Sequence, residues 1–169
     1  DTDVIAHEIV EPNSDCLNEL VDYFGDSILN DDKTLNRKKL ASIAFSDKQK
    51  TEALSNITHK YIKAEVVKDI NTTDAELVGI DGAVIIGSNV EPLCEFIVSV
   101  IADKQSRITR IKMRDNITDE QAIQRINAQN DDEFYKENSM YIIYNNGDIA
   151  QLESDVVVLF NKIKGNSFE

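Results

Sequence analysis

The chain has 169 residues, 41% of them hydrophobic and 29% charged, and a formal net charge of −13. That size and apolar share suit one compact domain with its own core and exclude a wholly disordered chain. An acid excess this large repels nucleic acid and anionic membranes at long range, so neither is expected as a partner.

Residues 4–12 place Val4, Ile5, Ile9 and Val10 at helical spacing, stopping near Pro12. Asn13, Ser14 and Asp15 offer N-cap chemistry for a second helix, whose Leu17, Leu20, Val21 and Phe24 recur at i, i+3, i+4, i+7. Gly25 supplies its stop. A turn at NDDKTLNR then leads into a helix with Leu40, Ile43 and Ala44 inward. Ser46 or Asp47 caps the next helix, which runs from about Lys48 to Ile70 with Leu54, Ile57, Tyr61, Ala64 and Val67 on one stripe.

The pattern then changes. LVGIDGAVII (77–86) and FIVSVIA (96–102) are β-type apolar runs without clean alternation, which predicts a parallel sheet buried on both faces. A basic helix follows Ala102. Thr118 and Gln121 form a capping box for a helix through about Gln129. NDDEFYKEN (130–138) reads as a polar, mobile stretch, MYIIY as a third strand and NNG as a turn. Residues 149–164 close the chain as a helix with Leu152, Val156, Leu159, Phe160 and Ile163 inward. No apolar run reaches the ~18 residues of a membrane span, and no signal-peptide pattern is present. Cys16 and Cys94 lie far apart in apolar settings with no CxxC, the pattern of buried thiols in a reducing cytosol. The expected location is therefore cytoplasmic.

Three groups of residues can carry chemistry. KQSRITRIKMR puts Lys104, Arg107, Arg110, Lys112 and Arg114 in one helix with no acid between them. Arg107, Arg110 and Arg114 share a face, and guanidinium groups hold phosphate through paired hydrogen bonds. The same spacing also suits a solvated basic face. Asp1 and Asp3 suit a general base with a Mg²⁺ partner, or an acidic terminus without a task. His7 and His59 stand among apolar helical neighbours, where a histidine is more often packed than catalytic.

Taken in order, DTDVIAHEIVEP, YFGDSILNDDKTLNRKKLASIAFSD, LSNITHKYI, RITRIKMRDNIT, RINAQ and YIIYNNGD resemble dephospho-coenzyme A kinase. The resemblance covers essentially the whole chain. It implies an α/β, P-loop NTPase-like parallel sheet flanked by helices, with a helical CoA-binding insertion and a small helical lid. By that likeness residues 8–73 form the CoA-binding region and 115–138 the lid, while 1–7, 74–114 and 139–169 form the core of a single kinase domain. The implied activity is transfer of the γ-phosphoryl of ATP to the ribose 3′-hydroxyl of dephospho-coenzyme A, with ATP and Mg²⁺ as cofactors. The implied assembly is a monomer or weak homo-oligomer. The resemblance makes Asp3 the general base and places Asp1 beside it, near Mg²⁺. It sets Arg110 on the transferring phosphate, with Arg107 and Arg114 at the lid. Arg37 and His59 fall in the CoA-binding part, and Asn145 and Asn146 near the adenine of ATP.

The chain contains no GxxxxGK[ST]. In the family a strand, a Gly-rich loop and a helix precede the Asp-x-Asp element. These residues are therefore expected to belong to a longer chain and to have no appreciable kinase activity alone. Lys60 stands where the family usually has proline after the helical histidine, and Ala83 and Gly87 replace a proline and a glutamate. Gln129 is followed by Asn130 and Asp131 rather than Met-Pro, and His7 stands where arginine is common. The alternative reading is an inactive or weakly active relative that binds a CoA-like ligand or a protein.

Overall fold

The computed structural model describes residues 1–166. They divide into two compact units, one running Asp1–Cys94 and the other beginning at Glu95.

The first unit is helical. Helix α1 spans Thr2–Glu8 and α2 spans Asp15–Phe24, the latter capped by Ser14, whose hydroxyl accepts the Leu17 amide. Gly25 ends α2 at φ 83°, ψ 163°, a conformation that only glycine adopts freely. A short 3₁₀ turn at Asp26–Ile28 follows, then α3 (Arg37–Ala44) and α4 (Lys48–Thr72). Leu20, Ile28 and Ala44 are completely buried, with Cys16 and Leu17 beside them. Each large side chain so buried contributes about 1.5–3 kcal/mol of transfer free energy.

Helix α4 is the spine of this unit, because α1, α2 and α3 all pack on it. Its buried residues are Ile57 and Val66, with Leu54, Tyr61, Ile62 and Ile70 packed alongside. The expected stripe through Ala64 and Val67 is therefore only half right. The apolar face walks around the helix because its partners change along its length. Lys60 stands within α4, which runs unbroken through it, and its Nζ bonds Glu19 of α2 at 2.5 Å. The Tyr61 hydroxyl donates to the same oxygen at 2.7 Å. These two bonds, Lys60 first, hold the Glu19 carboxyl below its ordinary range.

The run 77–86 forms no strand. A strand exists only through its ladder, and among the described residues the backbone bonds of this run are one from Thr2 to the Asp81 carbonyl and a local turn from Ser88 to the Ile85 carbonyl, neither of them part of a ladder. Neither cysteine forms a disulfide. Burial, followed by the Glu19 charge, pushes the Cys16 thiol up to about 11, as expected of an inert packed thiol.

The second unit is α/β. Strand β1 (Val98–Ile101) is followed by α5 (Lys104–Asp115), α6 (Asp119–Asn127), α7 (Asp132–Glu137), β2 (Tyr141–Tyr144) and α8 (Ile149–Asn166). The strands are parallel, with Val98 opposite Tyr141 and Ile101 opposite Tyr144. Parallel strands need a long crossover, and the three intervening helices supply it. The Thr118–Gln121 capping box forms with both of its bonds. Ile108, Ala122 and Ile126 make a small core between α5 and α6.

Three expectations fail here. Within the polar stretch 130–138, residues 132–137 form an ordered helix, because the Asp131 carboxylate caps the Phe134 amide. Val100 is 60% exposed, so β1 is not covered on both faces among the described residues. On α8, Ile163 is buried, but Val156 and Phe160 are 46% and 42% exposed. Two strands ~5 Å apart offer a surface about one helix stripe wide, so they cover only part of that apolar helix.

Candidate functional site

In the first unit the Asp1-Thr2-Asp3 element starts α1. The Asp1 Oδ1 accepts the amides of Asp3 at 2.8 Å and Val4 at 3.1 Å, making it the N-cap. Asp3 lies in the first turn and its side chain is exposed. Thr2, between them, donates twice to one acceptor. Its amide reaches the Asp81 carbonyl at 2.8 Å and its hydroxyl reaches the same oxygen at 3.0 Å. Gly82 lies against this contact, and a Cβ there would stand 2.1 Å from Thr2 Oγ1. Ile5 and Ile9 bury the other end of the segment in the core.

His59 is half-buried in the middle of α4. Its carbonyl accepts the Asn89 amide nitrogen at 2.9 Å, which lays the 87–91 loop along the helix. The Asn89 Oδ1 is buried without a hydrogen-bond partner among the described residues. Gly87, at φ 80°, donates its amide to Glu91 Oε2 at 2.5 Å. Arg37 opens α3 and is exposed, with Lys38 and Lys39 beside it and no acid in that turn. A helix N-terminus carries positive partial charge, so three cations there are electrostatically unfavourable together and attract an anion strongly.

In the second unit the functional candidates gather at the carboxyl ends of β1 and β2, where open parallel sheets bind ligands. The Asn145 amide donates to the Ile101 carbonyl at 2.8 Å. The Asn146 Oδ1 accepts the Asp103 amide at 2.8 Å, tying the NNG turn to the start of α5. Asp103 caps α5 through Ser106, whose amide and hydroxyl hold the carboxyl below its ordinary value.

Along α5 the cations separate into two kinds. Arg107 reaches Gln129 Oε1 at 2.7 Å and Asp132 Oδ1 at 3.3 Å, joining α5 to α7. Lys112 pairs with Asp119. Arg114 grips Asp115 with two bonds, 2.7 and 3.0 Å, and Arg125 of α6 reaches the same carboxylate. The Arg114 guanidinium is the first cause that holds the Asp115 carboxyl below its ordinary value. Arg110 is exposed and forms no ion pair among the described residues.

The family model described as "CoaE: Dephospho-CoA kinase" matches residues 1–151. The chain belongs to the dephospho-CoA kinase family. A dephospho-CoA kinase from Lactobacillus johnsonii is 33% identical over 166 residues, covering 96% of this chain and 84% of its own length. The Listeria monocytogenes dephospho-CoA kinase is 34% identical over 169 residues, covering 98% and 84%. Among solved structures, the dephospho-CoA kinase from Campylobacter jejuni superposes with a TM-score of 0.61 at 28% identity, covering 98% of this chain and 84% of its own. A Thermus thermophilus crystal structure shares the fold, with a TM-score of 0.80 at 21% identity over 95% of this chain and 82% of its own. The fold is accordingly the P-loop NTPase-like α/β arrangement. As a dephospho-CoA kinase the chain is a phosphotransferase of coenzyme A biosynthesis.

For a dephospho-CoA kinase the basic helix thus divides its labour. Arg107 and Lys112 pair with acids of α7 and α6, and Arg114 with Asp115 at the end of α5 itself, while Arg110 is exposed outside these pairs. Two features of this dephospho-CoA kinase escaped the sequence reading. The Asp103 cap had a local signal, Asp-x-x-Ser. The Thr2–Asp81–Gly82 contact had none, since it joins residues 79 positions apart.

Proposed function

We propose that the protein phosphorylates the ribose 3′-hydroxyl of dephospho-coenzyme A with ATP, in the cytoplasm, as a monomer or weak homo-oligomer. Asp3 accepts the proton of the attacking hydroxyl. Arg110 neutralises charge on the transferring phosphoryl group, with Arg107 and Arg114 ordering the lid at 115–138. Arg37 and His59 belong to the CoA-binding region at 8–73, and Asn145 and Asn146 to the adenine side. In-line phosphoryl transfer asks the protein mainly for positioning and charge neutralisation, which suits exposed arginines on a rigid helix.

Asp1 is the candidate Mg²⁺ contact. One of its oxygens already accepts two amides, and the other accepts nothing among the described residues. Those residues contain no cluster of three or more metal-ligating side chains. A free carboxylate oxygen suits Mg²⁺, which keeps its waters and binds through one or two carboxylates and the substrate phosphates. When bound, the ion neutralises charge on the phosphates.

The observation that supports this reading most is that Arg107, Lys112 and Arg114 of α5 each form an ion pair, while Arg110, the remaining arginine of that helix, is exposed and forms none among the described residues; Lys104 is exposed and unpaired as well. Its test is Arg110→Ala in the intact protein. Turnover should fall at least ~100-fold, in line with loss of a preorganised charge partner, with the melting temperature unchanged. Near-wild-type turnover would remove Arg110 from the site.

A further inference from the structure

Thr2 holds the two acids of the Asp-x-Asp element apart and is itself held by a segment remote in sequence. Both of its polar hydrogens go to the Asp81 carbonyl, at 2.8 Å from the amide and 3.0 Å from the hydroxyl. The next residue, Gly82, leaves no room. A Cβ would lie 2.1 Å from Thr2 Oγ1, 3.3 Å from Thr2 Cβ and 3.2 Å from Ile85 Cδ1. Gly82 does not have a positive φ, unlike Gly25 and Gly87. Its backbone therefore admits alanine, and what demands glycine is the closeness of Thr2.

We propose that Thr2, the Asp81 carbonyl and Gly82 form a positioning clasp that sets where the Asp1 and Asp3 carboxylates stand for phosphoryl transfer. The proposal rests on the assignment of Asp3 as general base. The physical reason is leverage. Asp3 is exposed, and no side-chain hydrogen bond among the described residues orients its carboxylate, so its position is inherited from the backbone of residues 1–3. That backbone has two restraints at its start, the Asp1 cap and the Thr2 clasp. The cap is local and travels with α1. Ile5 anchors α1 in the core further along, and among the hydrogen bonds of residues 1–3 the clasp alone reaches residues outside α1. An added methyl at residue 82 must push Thr2 back by roughly 1 Å to reach ordinary contact, and a displacement of that size in a reacting group costs about 100-fold in rate.

The signature is non-additive. Gly82→Ala in the intact protein should lower kcat ~100-fold while KM for dephospho-coenzyme A stays within about twofold. Thr2→Ala removes the hydroxyl that the new methyl meets and keeps the backbone bond, so alone it should cost ~5-fold or less, about the worth of one exposed hydrogen bond. The double variant Thr2→Ala/Gly82→Ala should then be at least ~10-fold faster than Gly82→Ala, because the remaining contacts are the looser ones, 3.2 Å to Ile85 Cδ1 and 3.3 Å to the residue 2 Cβ. Thr2→Ser keeps the hydroxyl, so it should match wild type alone and match Gly82→Ala when combined with it. Melting temperatures of all variants separate misfolding from misplacement.

Additive losses in the double variant, or Gly82→Ala with wild-type kcat, would overturn the clasp. Asp3→Asn is the control on the underlying assignment. If it retains near-wild-type kcat, the general-base reading fails and the clasp has nothing to position. If it is dead while the Gly82 and Thr2 variants are unaffected, the reading stands and the clasp fails.

Discussion

At the scale of single residues, two glycines show two different reasons for the same amino acid. Gly25 has φ 83° and nothing within 4 Å of where a Cβ would stand. Gly82 has no positive φ and a neighbour at 2.1 Å. Gly25→Ala should therefore cost stability through backbone strain alone, about 1–3 kcal/mol for a residue held in a glycine-only region. Denaturant unfolding checks this, and kcat per folded molecule should be unchanged. The role of Gly25 was legible in the sequence, since glycine after an amphipathic helix is a stop signal. The role of Gly82 was not, because it depends on a residue that the chain brings back from the start. Asp1 shows the same contrast. The sequence offered a charge pair for catalysis, whereas the geometry also makes Asp1 the cap of α1.

Among the elements, α2, α3, α5, α6 and the two strands carry their own evidence in caps and apolar spacing. Helix α7 does not, because six residues give no period to see and its start depends on one aspartate. Helix α4 misled in another way. A fixed period assumes one partner, but three helices share α4, and the buried stripe turns as they do.

The junction of α5 and α6 supports a pH prediction. Asp115 accepts from Arg114 and Arg125, and its carboxyl titrates below the ordinary 3.8. A lowered carboxyl value means that the ionised form is favoured by the fold. Its contribution is complete above the ordinary value and is lost as pH falls through the lower, folded one. Loosening of α6 at this junction should therefore begin only below about pH 4 in the wild type. Asp115→Asn should produce it at neutral pH. Amide exchange in α6 measures both, and equal protection in the two proteins at pH 7 would show that the junction does not depend on this charge. The side chains here are partly exposed, so the change in global stability should be small.

For the whole molecule, the acid excess leaves few places where an anion is welcome. Arg110 and the Arg37 turn are two of them among the described residues. Dephospho-coenzyme A at about 100 times its dissociation constant should stabilise the intact protein by ~2.7 kcal/mol, which is about 5–10 °C in Tm for a chain of this size. Thymidylate or adenylate at the same concentration should leave Tm within about 1 °C, the change expected of non-specific binding below saturation. A larger shift with either nucleotide than with dephospho-coenzyme A would argue for a different acceptor. Among the described residues no helix is long and apolar enough to cross a membrane.

Local chemistry alone determined much of this protein. Ser14, Asp47 and Thr118 set where helices start, Gly25 sets where one stops, and the apolar runs at 96–102 and 140–144 specify the paired strands. Each of these acts over a few residues, where spacing and propensity are decisive. Tertiary structure decided which cations meet acids, which face of α4 is buried, why 77–86 forms no ladder, and why residue 82 is glycine. Those outcomes depend on contacts between residues far apart in the chain. Nothing in the spacing of one segment records the distance to another, so charge partners and close approaches become visible only once the chain has folded back on itself.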